Sequence, residues 1–236
     1  MNEARTPTGG AGGGTWAILV AAGSGARLGG DRPKAFAALA GRPLLAESLE
    51  RLDGSDWIDA IVVAAPPEWE EPAILLAEEL VASKVAAVVT GGETRAESVR
   101  AALEEVADDA LVVLVHDAAR PLVDDGVIGR VLTLLAEGVD GAIPGLPPSD
   151  TVKRVDGNRV VETLDRASLV AAQTPQAFVA HRLRAALEGD LTSATDCASL
   201  VERAGGTIGV VPGDPRLVKV TTRADLDLVE RLLDAG

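Results

Sequence analysis

Residues Trp16 to Arg27 read WAILVAAGSGAR, an unbroken apolar run that opens directly into small residues and glycine. The run Trp16 to Ala21 has no apolar and polar alternation, which is the pattern of a strand covered on both faces. In open α/β sheets ligands bind where such strands end, and glycines let backbone amides approach an anion with no side chain in the way. Two familiar loops do not fit. The dinucleotide fingerprint would need a glycine where Leu28 stands, and the P-loop needs a Gly-Lys pair that is absent. What remains is G-x-G-x-R followed by Pro33-Lys34, so that the Arg27 guanidinium and the Lys34 ammonium can flank a polyphosphate. A tight strand-to-helix turn carrying surface cations fits the same spacing.

Similar apolar runs recur at Ala60 to Ala65, Val85 to Val89, Leu111 to Val115 and Gly141 to Ile143. Between them the apolar residues take helical spacing: Leu44, Leu45, Leu49 and Leu52, then Ile74 to Val81, then Val99, Leu103 and Val106, then Val127 to Leu135. Strand alternating with helix predicts a doubly wound, mostly parallel, Rossmann-like α/β sheet with helices on both faces. Thr94 followed by Glu97 has the spacing of a capping box, and Thr222 before Asp225 marks a second helix start. After Pro144 the pattern changes. Residues 150–163, DTVKRVDGNRVVET, hold two β-prone runs around Asp156-Gly157-Asn158, which predicts an antiparallel β-arm at about 147–170 inserted in the domain. The alternation then resumes, with helices expected from Ala180 to Leu187, Thr195 to Arg203 and Arg223 to Leu233, and a strand from Thr207 to Val211. Residues 1–14, rich in glycine, read as a flexible tail, and 15–236 as a single domain.

Composition removes several classes of function. The 236 residues carry a formal charge of −14 and only 2% aromatics, a poor match to a nucleic-acid backbone or to base stacking. A local group of cations can still hold a small anion, because screening limits the field to about 8 Å. No apolar run approaches the roughly 18 residues of a membrane helix. The N-terminus lacks the pattern of a secretory signal, and a single cysteine, Cys197, permits no intramolecular disulfide and no cysteine-based zinc site; a cytoplasmic location is expected.

A second cluster, Val115-His116-Asp117-Ala118-Ala119-Arg120-Pro121, also stands at the end of a predicted buried strand. An aspartate there can hold magnesium beside a polyphosphate, since that ion prefers one or two carboxylates with phosphate oxygens and water. Arg120 can offer its planar fork to a second phosphate. A capping Asp117 paired with Arg120 is the plainer reading of the same residues. His116 has no serine or cysteine motif to activate and receives no role, and Cys197 reads as a small core residue.

Taken together, these segments resemble the 2-C-methyl-D-erythritol 4-phosphate cytidylyltransferases of the non-mevalonate isoprenoid pathway. The likeness runs through AAGSGARLGGDRPKAF at 21–36, GGETRAESVRAAL at 91–103, VHDAARPLV at 115–123, SDTVKRV at 149–155, TLDRASLVAAQTPQAF at 163–178, TDCASLVERAGG at 195–206 and LVKVTTRADLDL at 217–228. It implies that Arg27 and Lys34 hold the triphosphate and stabilise the transition state. It further implies that Ala21, Ala22, Gly23, Ser24 and Gly25, with Gly91, Gly92, Arg95 and Ser98, surround CTP, and that Asp117 and Ala118 lie beside its phosphates and magnesium. Arg120, Thr151, Arg166 and Lys219 would position the methylerythritol phosphate, with Arg166 and Lys219 also counted as catalytic. By the same resemblance the chain is a homodimer joined through the arm, with Arg166 reaching the neighbouring subunit's site. Cys197 stands where an acidic or small residue is expected.

The activity so implied is transfer of CMP from CTP to 2-C-methyl-D-erythritol 4-phosphate with release of pyrophosphate. Three other readings share parts of the pattern: a cytidylyltransferase acting on ribitol 5-phosphate, a sugar 1-phosphate nucleotidyltransferase using another nucleotide, and a nucleotide-binding protein without catalysis.

Overall fold

The computed structural model describes residues 13–23, 32–192 and 194–234. Residues 1–12 of the expected tail lie outside them. Gly14 is already tied in, because its carbonyl accepts the Leu111 amide at 3.2 Å.

The first strand, β1 (Thr15–Val20), begins the central sheet. A two-residue hairpin, β2 (Ala38–Leu39) and β3 (Arg42–Pro43), turns through Ala40 and Gly41 at positive φ and leads into α1 (Leu44–Asp53). The alternation continues with β4 (Ala60–Ala65), α2 (Glu70–Glu79), β5 (Val85–Thr90), α3 (Arg95–Leu103), β6 (Val112–Asp117), α4 (Asp125–Ala136) and β7 (Gly141–Leu146). The arm follows as β8 (Lys153–Asp156) and β9 (Arg159–Thr163). The chain returns through β10 (Ala171–Ala172) and β11 (Gln176–Val179), then α5 (Ala180–Leu187), α6 (Cys197–Arg203), β12 (Ile208–Pro212) and α7 (Arg223–Asp234).

The sheet has eight strands in the order β5-β4-β1-β6-β11-β7, with β10 and β12 also paired to β7. All pairings among β5, β4, β1 and β6 are parallel, as is β12 with β7, whereas β10 and β11 run antiparallel to their neighbours. The unbroken apolar runs are explained by two cores on opposite faces. Along β1 and β4, Leu19, Ile61 and Val63 join the core under α1, α2 and α4, while Ile18, Val62 and Ala64 join the one under α3, α5 and α6. Successive side chains of a strand point to opposite faces, so a strand covered twice needs apolar residues at every position.

Three expectations are corrected. The Val85 run is not buried on both faces, because β5 closes the sheet and its residues are half-buried or exposed. Helix α2 starts at Glu70 rather than near Ile74, since Pro72 occupies the first turn, where a missing amide costs no helical bond. It ends at Glu79, before Val81 turns to a φ of +54°. Helix α6 starts at Cys197 rather than at Thr195, because Asp196 caps it by accepting the Ser199 amide. The short strands β2, β3, β10 and β11 were not anticipated by the periodicity.

The arm forms where expected, turning at Gly157 with φ +56°. Its two strands pair with each other and not with the central sheet. The predicted capping box of Thr94 with Glu97 is present, and the helix start expected at Thr222 is held by reciprocal bonds with Asp225 of 2.7 and 3.3 Å.

Asp225 accepts from the Thr221 hydroxyl and from the amides of Thr221 and Thr222, which lowers its carboxyl to about 2. The folded value lies below the ordinary value of about 3.9, so its contribution is present above pH 4 and is lost as the pH falls toward 2. Asp225→Asn should destabilise the protein by roughly 1 kcal/mol at pH 7. The gap to the parent in urea denaturation should shrink steadily below pH 4; a gap that is constant with pH would contradict this account of the cap.

Candidate active site

The order β5-β4-β1-β6 contains a reversal: the chain leaves β1 for β4 and β5 on one side, then crosses to β6 on the other. A crevice opens at the strand ends at such a switch point. Here a cavity of about 460 Å³ lies there, within the size range of small-molecule sites. It is walled by Ala21, Ala22 and Gly23 after β1, by Gly92 to Arg95 and Ser98 at the start of α3, and by Asp117 to Ala119 after β6; Lys34 and Lys219 complete it.

Each wall has a local cause. The turn before α3 presses on the end of β1: a Cβ on Gly91 would stand 2.2 Å from that of Ala22, so only glycine fits. Buried Ser98 shapes this turn, donating to the Thr94 carbonyl at 2.9 Å and accepting the Gly92 amide at 3.1 Å. Lys34 begins a 3-10 turn, Lys34–Phe36, whose Phe36 ring packs 4.5 Å from Trp69. The loop after β6 is tied at successive residues: the Ala118 amide to Val20, its carbonyl to the Ser48 hydroxyl, and the Ala119 carbonyl to the Val220 amide.

Asp117 is the electrostatic centre. It is buried, its Oδ1 lies 2.8 Å from Arg95 Nε, and its Oδ2 lies 2.7 Å from Lys219 Nζ. Burial pushes the carboxyl upward, but the Arg95 and Lys219 charges more than offset this and hold it well below the usual carboxylate range. Burial works against Arg95 as well, and the Asp117 charge keeps it protonated. A chain with net charge −14 thus brings Lys34, Arg95 and Lys219 to one cavity, the last two paired with its carboxylate. Among the described residues, Arg95 Nη2 and Arg120 Nε are buried without an acceptor.

The cavity brings together most of the residues picked out in the sequence, but not all. Ser24, Gly25 and Arg27 lie outside the described residues. Gly91 backs the wall rather than lining it. Arg120 is not among the lining residues; its Nη1 donates to the Leu217 carbonyl at 2.6 Å, and burial lowers its pKa. Thr151 and Arg166 are exposed and outside the cavity, with Arg166 bonded to the Ser149 carbonyl at the base of the arm. The plainer pairing of Asp117 with Arg120 is replaced by the pairs with Arg95 and Lys219.

Sequence reasoning missed several contributors, three of which stand out. Pro67 lines the cavity from the loop after β4. Cys197 Sγ sits 3.5 Å from Arg95 Nη1, so the core cysteine stands behind the site. Thr174 accepts the Asp117 amide at 3.1 Å. The Thr-Pro pair within QTPQ was the available signal for Thr174, whereas nothing local marks the contact of Cys197.

Residues 15–235 match the family described as 2-C-methyl-D-erythritol 4-phosphate cytidylyltransferase. The chain belongs to this family. A member from Nocardia farcinica is 48% identical over 219 residues, spanning 92% of this chain and 93% of that protein. One from Rubrobacter xylanophilus is 43% identical, over 94% of this chain and 96% of that one. Among solved structures, a 4-diphosphocytidyl-2C-methyl-D-erythritol synthase superposes with a TM-score of 0.80 at 30% identity, covering 94% of this chain and 99% of the other. The Thermus thermophilus family member gives 0.74 at 33% identity, covering 92% and 98%. Among the described residues of this family member, no helix is long and apolar enough to cross a membrane.

Asp117→Asn would leave two cations facing a neutral amide, one of them largely buried. Breaking a buried pair in this way costs about 3 to 5 kcal/mol. Urea denaturation should show a loss of that order, and a loss under 1 kcal/mol would mean that the ion pairs do not hold the site.

Proposed function

We propose that the chain transfers the cytidylyl group of CTP to 2-C-methyl-D-erythritol 4-phosphate, forming 4-diphosphocytidyl-2-C-methyl-D-erythritol and pyrophosphate in the synthesis of isoprenoid precursors. The observation that carries this reading is the pairing of Arg95 and Lys219 with Asp117 in a cavity that Lys34 also lines, beside Ala21 to Gly23. Family membership favours the methylerythritol acceptor over ribitol 5-phosphate, since the relatives at 42% to 48% identity carry the methylerythritol name.

An acceptor phosphomonoester has a second pKa near 6 and is largely dianionic at neutral pH, so it attacks without a general base. One of its oxygens bonds to the α-phosphorus of CTP while the bond from that phosphorus to the α–β bridging oxygen breaks, and pyrophosphate leaves with the electron pair. Both reactants are anions, so catalysis consists of neutralising charge and aligning the two groups. Lys34, with Arg27 from the glycine loop, serves the triphosphate. Lys219, next to Asp117, faces the meeting point of the two substrates.

Asp117 is the residue that would hold magnesium. A single carboxylate completed by phosphate oxygens and water is a donor set that this ion accepts. Among the described residues, no cluster of three carboxylate, histidine or cysteine side chains offers a cage independent of the nucleotide. Bound there, the ion would neutralise phosphate charge.

The arm is read as a dimer contact. Val155, Val160 and Val161 are 59%, 60% and 57% exposed on a hairpin with no pairing to the sheet, and an isolated hairpin is marginal in water. Thr151 and Arg166, outside the cavity of their own chain, are the residues that a second subunit's site would receive. A cytoplasmic location accords with CTP as substrate and with a single cysteine.

Pyrophosphate release with CTP, magnesium and each acceptor in turn tests the reading. Turnover should require CTP and methylerythritol phosphate, and equal or better turnover with ribitol 5-phosphate or with UTP would overturn it. Lys34→Ala should lower kcat by roughly 100 to 1,000-fold, the usual cost of one lost transition-state donor; unchanged turnover would remove Lys34 from the mechanism. Arg166→Ala should be similarly impaired, and mixing it with Lys34→Ala should restore activity, because one site of the mixed dimer keeps both residues. An inactive mixture of exchanged subunits would mean that each site is built from one chain.

A further inference from the structure

His116 received no role from the sequence, yet it is fully buried one residue before the centre of the site. Both its nitrogens are engaged: Nε2 is 3.0 Å from the Arg120 carbonyl, and Nδ1 is 3.2 Å from the Thr174 hydroxyl. The geometry dictates the direction of every bond. A carbonyl can only accept, so Nε2 carries the proton and donates to Arg120. The ring is fully buried and, among the described residues, hydrogen-bonded to no carboxylate, so its other nitrogen, Nδ1, is the acceptor and the Thr174 hydroxyl donates to it. The same hydroxyl oxygen accepts the Asp117 amide at 3.1 Å. A one-way chain therefore runs from Asp117 through Thr174 and His116 to Arg120, joining the two ends of the loop that follows β6.

Those ends face different tasks. Asp117 grips Arg95 and Lys219 at the cavity, while Arg120 extends to the Leu217 carbonyl and keeps Nε buried without an acceptor. We propose that His116 is a positioning residue for the transfer reaction: as an Nε2–H donor it holds the Arg120 carbonyl and, through Thr174, the Asp117 amide, and so sets the spacing between Asp117 at the cavity and Arg120, whose guanidinium holds the segment that carries Lys219. The proposal rests on the cytidylyl-transfer reading above. A displacement of about 1 Å between reacting groups can cost on the order of a hundredfold in rate, so a link that fixes Asp117 in the cavity wall bears on turnover as well as stability.

Two conservative variants of the full-length protein separate the two links. His116→Gln sets an amide donor at the Nε2 position and keeps the Arg120 link while losing the Thr174 link. His116→Asn sets an amide oxygen at the Nδ1 position and keeps the Thr174 link while losing the Arg120 link. Steady-state kinetics should show opposite splits. The Asn variant should raise the acceptor KM by roughly tenfold with the CTP KM within about threefold of the parent, and the Gln variant should do the reverse, each with reduced kcat. Thr174→Val and Thr174→Ser give a second handle if a histidine variant does not fold: the valine should reproduce the Gln pattern and the serine should restore the parent values. Parallel changes in both KM values, or none, would reduce His116 to a structural residue and overturn the proposal. A parent protein that releases no pyrophosphate from CTP with methylerythritol phosphate would instead overturn the underlying reading.

Discussion

A carboxylate withdrawn from water is stable as an anion only if its surroundings replace the lost hydration, and at Asp117 that replacement comes from Arg95 and Lys219. The two cations come from opposite parts of the chain, one at the first turn of α3 and the other in the segment between β12 and α7. Their attraction ties the end of β6 to both. Pairs of this kind contribute little net stability but are costly to break, so their value lies in location. Here the location is the crevice where the strand order reverses, and the remaining walls are arranged around it: Gly91 lets β1 approach, Ser98 sets the turn before α3, and Val220 anchors the loop after β6.

The negative total charge and the cationic cavity do not conflict. Acidic side chains spread over the surface act at distances where salt screens them, whereas Lys34, Arg95 and Lys219 share one partly enclosed space. Repulsion from the surface disfavours large polyanions and leaves small phosphates to a local field.

Much of this was legible in the chain because the central strands are covered twice. Ile18 and Leu19 are neighbours in sequence and belong to different cores, so the run admits no polar residue and announces itself. The capping box at Thr94 and the helix start at Thr222 were equally plain, being local arrangements of side chain and backbone. Half of the cavity was readable too, since the glycine loop and VHDAARP both follow such strands. What could not be read depends on distant partners. β11 is four residues beginning with Gln176, and it becomes a strand only because β6 and β7 leave room between them. The contact of Cys197 with Arg95 joins residues 102 apart, and Thr174 meets His116 and Asp117 through the same antiparallel return. Arg120 looked from its spacing like a phosphate ligand, and only the fold reveals that its guanidinium lies on the Leu217 carbonyl.

The arm leaves the sheet after β7 and rejoins it at β10, which pairs with that same strand. Entrance and exit are therefore fastened to one edge of hydrogen bonds, and the register of the sheet is independent of what the excursion contains. Loop closure costs rise slowly with length, so residues can be gained, lost or exchanged between those anchors with little penalty to folding. The excursion can thus drift in sequence while the strand ends around the cavity stay constant, a division that lets one scaffold vary its surface without relearning how to hold a nucleotide.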